Sequence, residues 1–296
     1  MRCIISFLLA STAALAEVPA VVTDIPPVQS LVAAVMGDLG QPVLLLDRGA
    51  SPHSFQLRPS QARAVAEADL VVWIGPGLTP WLEKPLANRP KTAAALGLLA
   101  AEGTHRQEFG ATGATDHDEE GHDHHGTDPH AWLDPDNGRH WLKLIAAELS
   151  RLDPENAPAY AANVKTAAAA IDKAEAEATA ILAPVKDQPF IAFHDAYGYY
   201  TAHFGLTLAG TVALGDAVSP GARHLAALRD SIARGAAPCI FPEVQHNPAL
   251  VAQMAEGSGI AVGPPLDPSG SVLEPGSGLY PELIRSLAAS LAACPP

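Results

Sequence analysis

Along the chain, short runs of β-branched and aliphatic residues alternate with longer stretches in which apolar residues recur every three or four positions. The short runs predict strands over 20–23, 42–46 and 70–74, and again over 190–193, 207–212, 239–242 and 260–262. The periodic stretches predict helices over 27–36, 60–68, 80–86, 135–151, 196–204, 220–234, 248–256 and 281–293. Strand–helix alternation implies parallel sheets with helices on both faces. The rhythm runs twice, once on each side of the segment 153–182. That segment holds AANVKTAAAAIDKAEAEATAIL, rich in the strongest helix formers. Asp153 is placed to cap it, Pro154 fits the first turn, and Pro184 stops it. At 1.5 Å per residue its roughly 28 residues span about 42 Å. A flexible linker would be rich in glycine and serine instead. The expected fold is α/β: two lobes with parallel sheets joined by one long rigid helix. The lobes are expected at 17–152 and 184–296, with the linking helix at 153–183.

One region breaks the pattern. Residues 103–128 have no apolar period and predict a mobile surface loop, of a length that is usually functional or disordered. It leads into DHDEEGHDHHGTDPHAWLDP at 116–135, where five histidines and six acids fall between Asp116 and His130 before the composition turns apolar at Ala131, Trp132 and Leu133.

The chain of 296 residues is 48% hydrophobic and 17% charged, the range of a folded globular protein. Its formal charge of −14 argues against nucleic acid or an anionic membrane as partner. Arg2, the apolar run Ile4 to Leu9 and the small residues ending at Ala16 read as a signal peptide over 1–16, cut before Glu17. The apolar stretch is too short to span a bilayer. Export places the mature protein in an oxidising compartment, the periplasm. Cleavage removes Cys3 and leaves Cys239 and Cys294, an isolated pair that predicts a disulfide. The alternative, two metal-ligating thiolates, lacks the paired spacing of a zinc ribbon.

Twelve histidines are the chemical content of the sequence. His140, His203, His224 and His246 are scattered over predicted helices or their ends and read as surface or capping residues. His53 follows the strand at 42–46, His130 precedes a helix, and His194 ends the strand at 190–193. Asp267 follows the strand at 260–262. In open parallel sheets ligands bind beyond the carboxyl ends of strands. Two residues from each lobe are thus expected in one inter-lobe cleft.

The motifs ASPHSFQLRPSQ at 50–61, DPHAWLDP at 128–135, FHDAYGYY at 193–200 and PLDP at 265–268 resemble those of periplasmic solute-binding proteins of transition-metal ABC importers, most closely the zinc-uptake (ZnuA) type. The likeness covers essentially the whole mature chain and extends to the His/Asp-rich loop, the long helix and the late cysteine pair. It implies a non-enzymatic Zn²⁺ receptor that delivers its ion to the membrane permease of an ABC importer. It also implies a monomer, with a periplasmic metallochaperone as a further partner. The implied metal ligands are His53, His130 and His194, completed by Asp267 or water. Some zinc-type members carry a glutamate just before the first histidine; here that position is Pro52. Manganese-type members carry glutamate where this chain has His194.

Three neutral imidazoles and one carboxylate suit a tetrahedral Zn²⁺ site, whereas Mn²⁺ prefers more oxygen donors. The alternatives are a manganese or iron receptor of the same family and a zinc hydrolase. The second lacks an HExxH motif and a glutamate placed as general base. The stretch 116–135 then divides in two. Asp128 to Pro135 carries His130 at the lip of the main site. Asp116 to His125, with His117, His122, His124 and His125, is a weaker, exchangeable set of ligands that collects or senses zinc.

Overall fold

The computed structural model describes residues 18–110, 126–213 and 220–294. The expected signal peptide and the loop residues His117, His122, His124 and His125 lie outside the described residues. Two four-stranded, fully parallel sheets form the frame. In the first, β1 (Val21–Thr23), β2 (Val43–Leu44), β3 (Leu70–Trp73) and β4 (Ala94–Gly97) are ordered β2-β1-β3-β4. In the second, β5 (Phe190–Ala192), β6 (Leu208–Thr211), β7 (Cys239–Ile240) and β8 (Ala261–Val262) are ordered β6-β5-β7-β8. The two orders are the same permutation, so each lobe has its switch point, and hence its natural crevice, beside its first strand.

Among the described residues nine α-helices accompany the sheets: α1 (Pro26–Met36), α2 (Pro59–Glu67), α3 (Glu83–Ala87), α4 (Pro135–Leu152), α5 (Ala157–Leu182), α6 (Gly198–Phe204), α7 (Ala222–Ala233), α8 (Ala249–Ala255) and α9 (Leu279–Ala292). α4 starts where its sequence dictates. The Asp134 carboxylate caps the Asp136 amide, Pro135 occupies the first turn, and Trp141, Leu142, Ile145 and Leu149 turn one apolar stripe inward. Asp153 does not cap the next helix. It accepts from Asn156 and the Tyr160 hydroxyl, and a single 3₁₀ turn, Pro154–Asn156, precedes α5. α5 packs on α1 and α4 of the first lobe and on α9 of the second.

One difference from the sequence reading is β4. Ala94–Gly97 is alanine-rich, a composition that favours helix, yet it pairs in register with β3 from Leu70↔Ala94 to Trp73↔Gly97. The Arg89 guanidinium pins its start by donating to Ala94 O at 2.7 Å and Ala68 O at 2.6 Å. A second difference is the segment 103–128, whose ends are built into the fold. Thr104 Oγ1 donates to Leu98 O, Asp128 N donates to Gln107 O, and Glu108 bridges Thr127 in antiparallel fashion.

The lobes share one continuous apolar core, running from Val21 through Trp132 and Ile171 to Leu291. Polar stitches cross between them. Trp132 Nε1 donates to Pro268 O (2.7 Å), the Tyr280 hydroxyl donates to Trp132 O (2.8 Å), and Tyr280 N donates to Ser30 Oγ (2.9 Å). Gly138 permits this approach: a Cβ there would lie 2.4 Å from the Tyr280 hydroxyl oxygen. Cys239 and Cys294 form the expected disulfide, with Cα atoms 6.0 Å apart, tying the end of α9 to β7.

Candidate metal centre

Three of the four predicted cleft residues come together. Ligand atoms of His53, His130 and His194 lie within 4.8 Å of one another. The loop carrying His53 is fixed from both sides. Trp81 Nε1 donates to Pro52 O at 2.6 Å, and Phe55 packs edge-on against Trp81. Further along the same motif, Arg58 N donates to Gln61 Oε1 while Gln61 Nε2 donates to Leu45 O, which anchors the start of α2 to the end of β2.

His130 is oriented within its own motif. Asp128 Oδ1 accepts from both His130 N (2.9 Å) and His130 Nδ1 (2.7 Å). A 3₁₀ turn, Ala131–Leu133, buries Trp132 and Leu133 behind the ring.

His194 lies two residues beyond β5, and Glu243 three beyond β7. The pairing Ile191↔Ile240, continued three residues, sets His194 opposite Glu243. Neighbouring strands are about 4.8 Å apart, so residues at one level on one face meet. Glu243 Oε2 accepts from His194 Nδ1 at 2.6 Å, and Oε1 accepts from the Tyr197 hydroxyl at 2.9 Å.

This geometry settles the chemistry of two rings. A carboxylate only accepts, so in the neutral rings Nδ1 of His130 and of His194 carries the hydrogen and the lone pair is left on Nε2. His53 Nε2 and His130 Nε2 face each other at 3.3 Å. Two nitrogens at Zn–N 2.0–2.1 Å in a tetrahedron lie about 3.3 Å apart, so the spacing fits a shared zinc ion. Ring centroids of imidazoles bound through Nε2 would then sit about 5 Å apart. The observed values are 5.3 Å for His53–His130, 5.4 Å for His130–His194 and 6.3 Å for His53–His194. His130 and His194 are buried and His53 is half-buried, so the donors open to solvent on the His53 side.

Asp267 is not brought into this group. Its carboxylate accepts from Ser271 Oγ (3.2 Å) and Val272 N (3.0 Å) of its own loop and from Gln245 Nε2 (2.7 Å) of the segment after β7. Strand position and the family resemblance had pointed to it, with water as the alternative, but the turn after Leu266 directs the carboxylate at these donors.

Two residues escaped the sequence reading. Glu243 was legible only as the acid following an apolar strand at the level of His194, and that pairing is not visible in one dimension. Asp128 stood inside a recognised motif as a neighbour of His130. His140 lies on the surface as expected, with Nε2 on Glu102 O, but three other histidines differ from expectation. His224 is buried, with Nε2 on Thr211 O at 2.8 Å, and His246 stacks on Phe193 with centroids 4.2 Å apart. His203 sits between Asp134 and Glu175. Its pKa is raised, first by its hydrogen bond to Asp134, against the opposing effect of burial, and further by Glu175. Burial works against the charge of Asp134, but hydrogen bonds from His203, His105 and Asp136 N outweigh it and its pKa is lowered.

The profile of the family described as "ZnuA: Zinc-uptake complex component A periplasmic" matches residues 21–294. A relative from Paracoccus denitrificans (strain Pd 1222), named high-affinity zinc uptake system protein ZnuA, is 48% identical over 317 residues, covering 96% of this chain and 94% of the relative. Among solved structures, a zinc-bound 138–173 deletion mutant of ZnuA has a TM-score of 0.77 at 25% identity, covering 94% of this chain and 99% of the other. FpvC of Pseudomonas aeruginosa, in complex with Mn²⁺, has a TM-score of 0.79 at 25% identity, covering 93% and 98%.

Proposed function

Because the chain belongs to the ZnuA family, the periplasmic component A of zinc-uptake complexes, we infer that it captures Zn²⁺ with His53, His130 and His194 and hands the ion to the permease of an ABC importer. The chain is the zinc-binding component of the uptake system, a transport component. The observation that carries the ligand assignment is the convergence of three imidazoles, two of them with Nδ1 held by a buried carboxylate. The fold does not select the metal, since FpvC has the same fold in complex with Mn²⁺. The donor set does: three nitrogens without a first-rank carboxylate favour Zn²⁺ over the oxygen-preferring Mn²⁺. The fourth position belongs to water, because recruiting Asp267 would break its bonds to Gln245, Ser271 and Val272 N. Export with removal of residues 1–16, action as a monomer and loading by a periplasmic metallochaperone complete the reading, as does the collecting role of the loop histidines. So does the division into lobes at 17–152 and 184–296, bridged by 153–183.

Competition titration with a chromogenic zinc chelator tests the ligand assignment. His53→Ala, His130→Ala and His194→Ala should each weaken binding by more than the 10–100-fold typical of losing an outer-shell partner. His140→Ala, whose ring bonds Glu102 O on the surface, should not. Wild-type affinity in two of the three variants overturns the assignment.

A further inference from the structure

Away from the three histidines, the two lobes and the long helix meet at a second set of donor groups. Asp134 and Asp136 open α4, His203 ends α6, and Glu175 projects from α5. Ligand atoms of Asp134, Asp136 and His203 lie within 4.8 Å of one another. His203 Nδ1 is 3.3 Å from Asp134 Oδ1 and 3.9 Å from Asp136 Oδ2. The second distance is too long for a hydrogen bond, and the first is longer than a good charge-assisted one. Donors around one tetrahedral zinc ion, with Zn–N and Zn–O near 2.0–2.2 Å, lie about 3.4 Å apart, between the two values.

The remaining atoms of these groups are already engaged, which holds the three donors in place. Arg139 donates to Asp136 Oδ1 at 2.6 Å and to Glu175 Oε2 at 2.6 Å, and also reaches Asp172 at 3.0 Å. His203 Nε2 meets Glu175 Oε1 at 2.8 Å. Asp134 Oδ2 meets His105 Nδ1 at 2.7 Å, and its Oδ1 also caps Asp136 N. So each carboxylate that faces His203 Nδ1 does so with the oxygen turned away from Arg139 or His105. The three carboxylates Asp134, Asp136 and Glu175 outweigh the one guanidinium. The Asp136 side chain is 68% exposed, which gives an ion a way in.

We propose that Asp134, Asp136 and His203 form a second divalent-metal site, for a borderline cation such as Zn²⁺, that clamps α6 of the second lobe to the head of α4 in the first. Binding replaces the hydrogen on His203 Nδ1 with the metal, and that proton leaves to solvent. With one nitrogen, two carboxylate oxygens and Arg139 nearby, the site binds more weakly than the three-histidine centre. It requires none of the cleft histidines, so it stands apart from the assignment of His53, His130 and His194.

The test is a calorimetric Zn²⁺ titration of the full chain beside His203→Gln and Asp136→Asn. Histidines elsewhere contribute equally to all three proteins, so differences report this site. The expected result is one ion fewer in His203→Gln and a weakened second phase in Asp136→Asn, with the tightest phase unchanged in both. Asp136 is largely exposed, so its variant keeps the test valid should His203→Gln unfold. Equal stoichiometry and affinity in wild type and Asp136→Asn, or in all three proteins, overturns the proposal.

Discussion

Replacing Glu243 with glutamine removes one charge and almost no volume from a side chain that is fully buried beneath His194. In the wild type its two oxygens accept hydrogen bonds from His194 Nδ1 at 2.6 Å and from the Tyr197 hydroxyl at 2.9 Å. That arrangement fixes the ring in the tautomer whose Nε2 is free for a metal, and the negative charge raises the ring's donor strength. Glutamine retains one acceptor oxygen. If that oxygen stays with Tyr197, the amide nitrogen faces His194 Nδ1 donor to donor, and the ring must tilt or move its proton to Nε2. Either response degrades one of the three zinc–nitrogen bonds proposed for His53, His130 and His194. Outer-shell partners of this kind are worth roughly 10–100-fold in metal affinity, or about 1.4–2.7 kcal/mol. Competition with a chromogenic chelator should place Glu243→Gln in that window and Asp128→Asn in the same one. Asp128 and Glu243 act on different rings, so their free-energy effects should be close to additive in the double variant. Affinity of Glu243→Gln within about threefold of wild type would refute the argument that the carboxylate sets the donor atom.

Three other outcomes follow from the packing. Reducing the Cys239–Cys294 disulfide should lower stability by about 4 kcal/mol on the chain-entropy model for a separation of 55 residues, seen as an earlier denaturant midpoint with dithiothreitol. Gly138→Ala should cost about 1–3 kcal/mol by urea unfolding, because its Cβ would meet the Tyr280 side chain that joins the lobes; an unchanged midpoint would mean the two helices have slack there. Asp24 is buried at the end of β1, and burial pushes its pKa up to about 7 despite bonds from Ile74 N, Ile25 N and the Thr79 hydroxyl. A raised folded-state value means the native chain holds a proton that the unfolded chain has released. The associated stability is present below the unfolded value of 3.8 and is lost as pH rises through about 7. The stability difference between Asp24→Asn and wild type should therefore shift in the variant's favour as pH rises from about 4 to about 7 in paired unfolding curves, whatever constant cost the amide incurs in facing the Ile74 and Ile25 amides. A difference that stays constant across that range would show that Asp24 does not take up a proton on folding.

Much of the architecture was written in periodicity. Strands such as Leu70–Trp73 and helices such as Pro135–Leu152 carry their own patterns of burial and their own caps, so they form where the sequence alone puts them. His53, His130 and His194 were legible for a related reason: parallel sheets expose ligands at strand ends, and these residues lie at or near such ends within recognisable motifs. β4 was not legible, because its alanines favour helix and only pairing with β3 makes them extended. The same limit applies to the site. Glu243 is opposite His194 through lateral register between β5 and β7, across 49 residues of sequence. Asp267 shares the strand-end position but not the outcome, since its direction depends on Gln245 and Ser271 in a turn that periodicity does not describe. Asp134 and Asp136, neighbours at the head of α4, meet His203 of α6 only in the folded chain. Local hydrogen bonding and apolar period act along the chain and can be read there. The direction of a side chain and the identity of its partner are set by elements packed from far away in sequence, and for those the folded structure alone decides.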